Sequence, residues 1–231
     1  MIIKEQSLLA SYLKYNEETS YIANGTNLNK FKVKDNLIDL SSLLDNNITK
    51  LSDGSLCISA MATFTSIINS PLTPSYLKDA ALALASIALR NASTIAGDIA
   101  LRNEDSYLLP LLLAAEAKIE VFCEKLEELT IDEYLKLNNK RLIITKVIIN
   151  PELNIKTKRI SKTSSCKATI NVARNLDSRY CFSISSSGIF TSLSSLTKDS
   201  IVSDIYGDKE YKYYLAKELS TLGADKWLNL I

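Results

Sequence analysis

Residues 21–28 read Tyr-Ile-Ala-Asn-Gly-Thr-Asn-Leu, and residues 90–100 read Arg-Asn-Ala-Ser-Thr-Ile-Ala-Gly-Asp-Ile-Ala. Each segment places a glycine among small polar residues, next to apolar residues that predict a strand or the end of a helix. Turns of this kind gather backbone N–H groups and let the main chain approach a ligand closely, which suits phosphate groups. On spacing alone, however, an ordinary turn is the better interpretation of each segment.

The side chains of the two segments strengthen the phosphate interpretation. Gly25 and Gly97 supply conformational freedom, and the two asparagines of the first segment tolerate left-handed backbone conformations. Hydroxyl groups on Thr26, Ser93 and Thr94 are additional hydrogen-bond donors. The chain has six glycines and no Gly-x-Gly sequence, so a Rossmann fingerprint and a Walker loop are both excluded.

Outward from the first segment, the sequence predicts a small α/β unit. A helix is expected over Gln6–Tyr15 and short buried strands over Tyr21–Ala23 and Asn36–Leu40, with an alternating, half-exposed pattern at residues 30–34 between them. Asp53-Gly54 is the strongest hairpin signal in the chain, because apolar stretches lie on both sides of it at residues 48–51 and 56–60.

The rest of the chain predicts helices first and strands later. Helices are expected over residues 63–69, 75–89 and 106–116, with residues 90–100 forming a polar loop between the last two. Strands are expected over residues 118–122, 141–149, 155–163, 167–175 and 179–185, the last three in an antiparallel sheet. A closing helix over about 209–228 shows an apolar stripe of Tyr211, Tyr214, Leu215, Leu219 and Leu222.

Composition excludes several functional classes. The chain contains no histidine, which removes Ser-His-Asp and Cys-His catalytic arrangements and His-ligated metal sites. Its four cysteines form no Cys-x-x-Cys pair and are interpreted as reduced, buried thiols rather than cluster ligands or redox groups. A net charge of +1 argues against nucleic acid as a partner. Charges at Lys4 and Glu5, together with short apolar runs, predict a cytoplasmic protein without a membrane span.

Both turn segments resemble those of a known family. Residues 21–28 resemble the A-G-G-T-D-L loop, and residues 90–100 the R-N-x-x-T-I-G-G-N-I-A segment, of the flavoprotein subunits of xanthine dehydrogenase and carbon monoxide dehydrogenase. Residues 48–60 resemble the family's intervening hairpin, residues 108–118 its following helix and strand, and Lys158–Lys162 the opening of its C-terminal domain. The chain is accordingly identified as resembling the FAD-binding subunit of molybdenum hydroxylases.

The resemblance implies an α+β fold. Residues 1–151 would form a two-subdomain FAD-binding domain of the vanillyl-alcohol oxidase type, with subdomains of about 1–52 and 53–151. Residues 152–231 would form a small antiparallel sheet with helices, and Asn150-Pro151 is the boundary that the sequence favours. The residues expected to bind the cofactor are Ile22, Ala23, Asn24, Gly25, Thr26, Asn27, Leu28, Ser93, Thr94, Gly97, Asp98 and Lys162.

The function implied is electron transfer within a complex. FAD would pass electrons between an iron–sulfur subunit and NAD or another acceptor, and a molybdopterin-binding subunit would oxidise the substrate. Molybdopterin and the clusters would therefore belong to partner subunits. Four residues depart from the family pattern: Asn24 and Ala96 replace glycines, Asp98 replaces asparagine, and Tyr107 stands where many members have aspartate. The alternative is a flavin-free structural subunit whose turns have lost FAD.

Overall fold

The computed structural model describes residues 2–27, 36–84, 86–137, 139, 141–163, 166–176, 179–222 and 227. Its strands are β1 (Ile2–Lys4), β2 (Thr19–Ile22), β3 (Asn36–Asp39), β4 (Ile48–Lys50), β5 (Leu56–Ser59), β6 (Lys118–Phe122), β7 (Leu126–Thr130), β8 (Ile143–Ile149), β9 (Ile155–Ile160), β10 (Ile170–Asn175), β11 (Tyr180–Ile184) and β12 (Gly188–Phe190). Its α-helices are α1 (Leu8–Lys14), α2 (Phe64–Asn69), α3 (Ser75–Leu82), α4 (Ile87–Ala92), α5 (Ile95–Leu101), α6 (Leu108–Ala114), α7 (Ile131–Lys136) and α8 (Lys209–Thr221).

The chain divides into two compact units. The first comprises Met1–Thr73, Ser86–Leu101 and Ala117–Pro151, and the second comprises Pro74–Ala85, Arg102–Glu116 and Glu152–Ile231. The single division at residue 151 that the resemblance implies stays a prediction.

The first unit contains two sheets. A parallel sheet has the order β1-β3-β2, and an antiparallel sheet has the order β4-β5-β8-β6-β7. Ile58, Ile119 and Val147 are fully buried on the central strands of the larger sheet. Tyr12 of α1 packs with Ile38 of β3 in a separate apolar cluster. Burial of this apolar area is the main stabilising term of the unit.

The β4–β5 hairpin forms as the sequence predicts. Gly54 has a left-handed φ of +89°, which only glycine adopts without strain, and its N–H donates to the Leu51 carbonyl at 3.0 Å. Asp53 Oδ1 accepts a hydrogen bond from the Ser55 N–H at 2.9 Å. β5 then pairs with β8 in the middle of the larger sheet, with Ile58 opposite Val147. Strand pairing therefore holds the end of β5 in place within the first unit.

The second unit is built on a four-stranded antiparallel sheet of order β12-β11-β10-β9. The predicted strands at residues 155–163, 167–175 and 179–185 correspond to β9, β10 and β11, and their antiparallel pairing is confirmed. Its core joins Val172 and Phe182 of the sheet to Leu215 and Leu219 of α8. The helix ends at Thr221, and the rest of its predicted range falls mostly outside the described residues.

One helix prediction and one loop prediction are wrong in their boundaries. The single helix expected over residues 75–89 is two helices, because Ser86 adopts an extended conformation and its hydroxyl caps a new helix by accepting from the Leu89 N–H. The loop expected over residues 90–100 is largely helical and leaves only Ser93 and Thr94 between α4 and α5. Ile95 and Ile99 are fully buried at helical spacing, which favours helix despite the small polar residues between them.

Two further predictions are corrected. The charged segment between the predicted strands at residues 118–122 and 141–149, expected to be a connection, contains β7 and α7, and α7 begins with a capping box of Thr130 and Glu133, a signal that the sequence displays. The predicted apolar stripe of the last helix is rotated, because Tyr211 and Tyr214 are 41% and 58% exposed. Lys212 is fully buried instead and forms an ion pair with Asp204 at 2.9 Å.

Candidate functional site

The first turn, residues 23–27, follows β2 directly. Tyr21 of that strand donates a hydrogen bond from its hydroxyl to the Arg141 carbonyl at 3.1 Å, and burial raises the pKa of this phenol. Ile22 pairs with Asp39 of β3, and its carbonyl accepts from the Leu40 N–H at 2.9 Å. The strand that leads into the turn is thus anchored on both sides.

Gly25 gives the first turn its shape, with a left-handed φ of +71°. In the described part of the chain, no group accepts a hydrogen bond from the backbone N–H of Gly25, Thr26 or Asn27. Successive N–H groups next to a left-handed residue are the arrangement that binds anions such as phosphate. Within the described residues, this turn thus holds three N–H groups without an acceptor, an arrangement that suits a diphosphate.

The second turn, Ser93 and Thr94, is held against the end of β5. The Ile95 N–H donates to the Ala62 carbonyl at 3.0 Å, and the Ala96 N–H donates to the Ala60 carbonyl at 3.3 Å. The Gly97 N–H donates to Thr94 Oγ1 at 3.2 Å. These amides already serve the protein's own structure, so the second turn does not offer a row of free amides.

The structure brings the two turns together, although 68 residues separate Asn24 from Ala92. Asn24 Nδ2 donates to the Ala92 carbonyl at 2.9 Å, and Ser93 Oγ donates to Thr26 Oγ1 at 3.3 Å. Thr26 Oγ1 is the acceptor of this bond, so the hydroxyl hydrogen of Thr26 is not used in it. The side chain of Asn24 is thus bonded to the neighbouring segment.

A glycine is required at position 97 of α5 because the side chain of Thr94, which precedes the helix, lies very close to it. A Cβ atom built on this residue would lie 2.9 Å from Thr94 Oγ1, a separation that real Cβ atoms essentially never show. Thr94 is itself only 3% exposed and bridges to Thr63. The glycine therefore keeps the Thr94 hydroxyl in place, and this role differs from the freedom of φ that the sequence suggests.

The remaining candidate residues are distributed as follows. Ala23 is half-buried at the start of the first turn, and Asp98 is half-buried in the first turn of α5. Leu28 lies outside the described residues. Asn24 and Asn27 do not use the left-handed conformations that asparagine tolerates, because Gly25 alone has positive φ among the described residues of this turn.

Lys162 belongs to the second unit. It lies two residues after the end of β9, is exposed, and donates from Nζ to the Ile205 carbonyl. Nearby in the same unit, the Arg159 guanidinium lies 5.0 Å from the centre of the Tyr107 ring, and burial lowers the pKa of this guanidinium. The alternative interpretation of Lys162 is a solvated charge at a strand, and its exposed position just beyond the end of β9 leaves that alternative open.

A small cleft of about 200 Å³ also lies in the second unit. Its lining carries charges of both signs, and Lys167 and Asp105 form an ion pair across 3.3 Å. The cleft is lined by Arg102, Asn103, Glu104, Asp105, Lys167, Ser185, Ser186 and Tyr206. None of the two turns' residues contributes to it, and its balanced charge does not suit a dianion.

All four cysteines are free, and Cys57 and Cys181 are buried whereas Cys123 and Cys166 are partly exposed. The expectation of buried thiols is therefore met by two of the four. Among the described residues, no three of His, Cys, Asp and Glu are grouped as metal ligands. Nor does the described part of the chain contain a helix with the length and apolar character needed to cross a bilayer.

Sequence comparison matches the part of the chain that contains both turns. Residues 4–151 match a family model described as the FAD binding domain in molybdopterin dehydrogenase. The uncharacterized protein YgfM of Escherichia coli strain K12 is 32% identical over 162 residues, which cover 69% of this chain and 62% of that protein. The chain thus spans less than two thirds of the length of this curated relative.

Structural comparison extends over nearly the whole chain. Carbon monoxide dehydrogenase from Hydrogenophaga pseudoflava, in a form that lacks the Mo-pyranopterin moiety of the molybdenum cofactor, superposes with a TM-score of 0.78 at 18% identity, over 94% of this chain and 93% of that one. Quinoline 2-oxidoreductase from Pseudomonas putida 86 gives a TM-score of 0.78 at 17% identity, over 95% and 93%. These matches confirm the predicted α+β fold class.

Proposed function

Because the chain belongs to the family of FAD binding domains in molybdopterin dehydrogenases, we propose that it is the FAD-carrying, electron-transferring subunit of a molybdenum hydroxylase complex. The observation that carries the proposal is the first turn, in which the N–H groups of Gly25, Thr26 and Asn27 have no acceptor among the described residues. The fold of the whole chain is consistent with it.

In this proposal the first turn binds the FAD diphosphate. Backbone N–H groups donate to the phosphate oxygens, and each such bond to a charged acceptor is worth about 1.5–3 kcal/mol. Residues 22–28 would surround the diphosphate, with Ile22 and Ala23 delivering the turn from β2. Since Gly25 carries no Cβ, the phosphates can approach the main chain closely.

The second turn would complete the site with side chains. Thr26 Oγ1 accepts the bond from Ser93, so the hydroxyl hydrogen of Thr26 is not used in that bond and would donate to the cofactor. Thr94, Gly97 and Asp98 would lie toward the diphosphate, ribityl or flavin side of the cofactor. The carboxylate of Asp98 would suit a ribityl hydroxyl, which is a hydrogen-bond donor, better than a phosphate. Lys162 is proposed to lie nearer the isoalloxazine ring.

When bound, the flavin supplies the redox chemistry, and NAD is the proposed electron acceptor. The chain's own contribution is binding and orientation, for which it needs no histidine. The protein has no Cys-x-x-Cys pair, and its four cysteines stand at positions 57, 123, 166 and 181. An iron–sulfur subunit and a molybdopterin-binding subunit are therefore proposed as its partners.

A flavin-free structural subunit is the second candidate. The observation in its favour is that the amides of Ile95, Ala96 and Gly97 are already bonded within the protein, which leaves fewer donors for a cofactor. A visible absorption spectrum of the purified chain, before and after incubation with FAD and removal of free cofactor, separates the two candidates. The FAD-carrying subunit shows the two visible bands of an oxidised flavin at a stoichiometry near one. A chain that stays colourless after incubation with FAD would refute the proposal of an FAD-carrying subunit.

Electron transfer and partners need their own tests. The FAD-loaded chain is mixed with NADH without oxygen, and loss of the long-wavelength flavin band is expected if a nicotinamide exchanges electrons with the flavin. A flavin that NADH leaves oxidised, but that dithionite reduces, would exclude NAD as the acceptor. Affinity purification of the tagged chain from its native cells should recover subunits that contain iron–sulfur clusters and molybdopterin. Recovery of the chain alone at native abundance would contradict the proposed complex.

A further inference from the structure

The asparagine of the first turn makes a side-chain contact that reaches the second segment of the candidate site. Asn24 Nδ2 donates to the Ala92 carbonyl at 2.9 Å and so joins the turn to the end of α4. We infer that Asn24 is a positioning residue that fixes the diphosphate turn before the cofactor binds. This inference rests on the proposed function, because it concerns the same site.

Other reasons for an asparagine at this position do not apply. Asn24 has no positive φ, since Gly25 supplies the left-handed residue of the turn. It is exposed, so its side chain does not fill the core. In the described part of the chain, the hydrogen bond to Ala92 is the contact that its side chain makes.

The acceptor of this bond is well placed. Ala92 is the last residue of α4, and the carbonyl groups of a last turn have no partner within the helix. Asn24 therefore satisfies a helix-terminal carbonyl while it holds the turn. The longer bond from Ser93 to Thr26 adds a second connection between the same two segments.

Fixing the turn in advance should favour binding. A free turn loses conformational entropy when a ligand orders it, whereas a turn that is already ordered loses less. The three N–H groups at residues 25–27 make no bonds of their own in the described chain, so they do not order the turn. Asn24, which is not one of the three donors, orders the turn through its bond to Ala92.

The test compares wild type with Asn24→Ala, both cofactor-free. ¹⁵N relaxation order parameters for the Gly25 and Thr26 amides should be near the rigid value of about 0.85 in wild type and below about 0.6 in the variant. FAD affinity, measured by quenching of flavin fluorescence, should fall about three- to tenfold. Asn46→Ala, an exposed asparagine between β3 and β4, is the matched control and should change neither quantity.

Two results would overturn the positioning role. One is a turn that is already flexible in cofactor-free wild type, and the other is an Asn24→Ala variant with wild-type order parameters. Failure of the proposed function looks different: wild type would not bind FAD, although Asn24→Ala still loosens the turn. If FAD binds wild type and Asn24→Ala equally and the turn stays rigid in both, the proposed function stands and the inference is lost.

Discussion

Replacement of Gly25 by alanine is the most informative single perturbation of the proposed site. Gly25 has φ of +71°, and an L-residue in that region costs roughly 1–2 kcal/mol. The variant can keep the conformation and bear this strain, or relax and turn the N–H groups of residues 25–27 away from a common ligand. In the relaxed outcome the amides no longer meet the phosphates, and in the strained outcome the new Cβ stands where the phosphates approach the main chain, so both outcomes weaken cofactor binding.

The expected magnitudes follow from those two outcomes. If the strain is kept, the loss of roughly 1–2 kcal/mol lowers the Tm of the cofactor-free chain by about 2–8 °C. If the turn relaxes, each lost amide–phosphate bond of about 1.5–3 kcal/mol weakens FAD binding by about 10- to 100-fold. A loss of affinity of at least tenfold with an intact fold is therefore expected for Gly25→Ala.

The matched control is Gly54→Ala in the β4–β5 hairpin. Gly54 also has a left-handed φ, +89°, and a Cβ there would contact only Lys50 Cε at 4.0 Å. The control bears a similar backbone strain outside both turns. Isothermal titration of each cofactor-free variant with FAD, together with thermal unfolding, separates strain from binding. FAD affinity equal to wild type in Gly25→Ala, or an equal loss in Gly54→Ala, would show that Gly25 has no specific role in binding the diphosphate.

Three further outcomes are expected. Gly97→Ala places a Cβ 2.9 Å from Thr94 Oγ1 and should cost about 1 kcal/mol in urea unfolding while it also weakens FAD binding; unchanged stability would show that the contact relaxes freely. Burial alone would raise the pKa of Asp204, but Lys212 and hydrogen bonds lower it from 3.8 to about 2. Because the folded-state pKa is depressed, the carboxylate stabilises the fold above pH 3.8, and this contribution, on the order of 1–2 kcal/mol, is lost as pH falls toward 2. Asp204→Asn should remove that pH dependence, and a wild-type acid profile in this variant would contradict the assignment. Thr130→Ala removes the capping box of α7 and should cost about 1 kcal/mol in urea without any change in FAD affinity.

Local signals predicted much of the fold. The hairpin at Asp53-Gly54, the antiparallel strands β9–β11 and the first turn after β2 all arise from residues adjacent in the chain. The α4–α5 region was harder to predict, because two short helices with small polar residues carry too little periodicity to be distinguished from a loop. The rotation of α8 depends on Asp204, whose pairing with Lys212 no apolar pattern shows.

The residues of the candidate site could be predicted, but not the contacts that join them. Composition and turn chemistry identified Gly25, Thr26 and Ser93, and the family resemblance placed them in one site. The bond between Asn24 and Ala92 and the engagement of the Ala96 amide by Ala60 depend on tertiary contacts. These contacts decide which turn offers free donors, so the unequal roles of the two turns became visible only in the structure.

In the proposed site, the N–H groups of Gly25, Thr26 and Asn27 bind the diphosphate of FAD. A ¹H–¹⁵N correlation spectrum of the cofactor-free chain, titrated with FAD, ADP or riboflavin, tests it most directly. FAD and ADP share a diphosphate, so both should move these three amide protons downfield, whereas riboflavin, which has no phosphate, should not. If FAD binds and these three signals stay in place while others shift, the diphosphate lies elsewhere, and the first turn does not bind it.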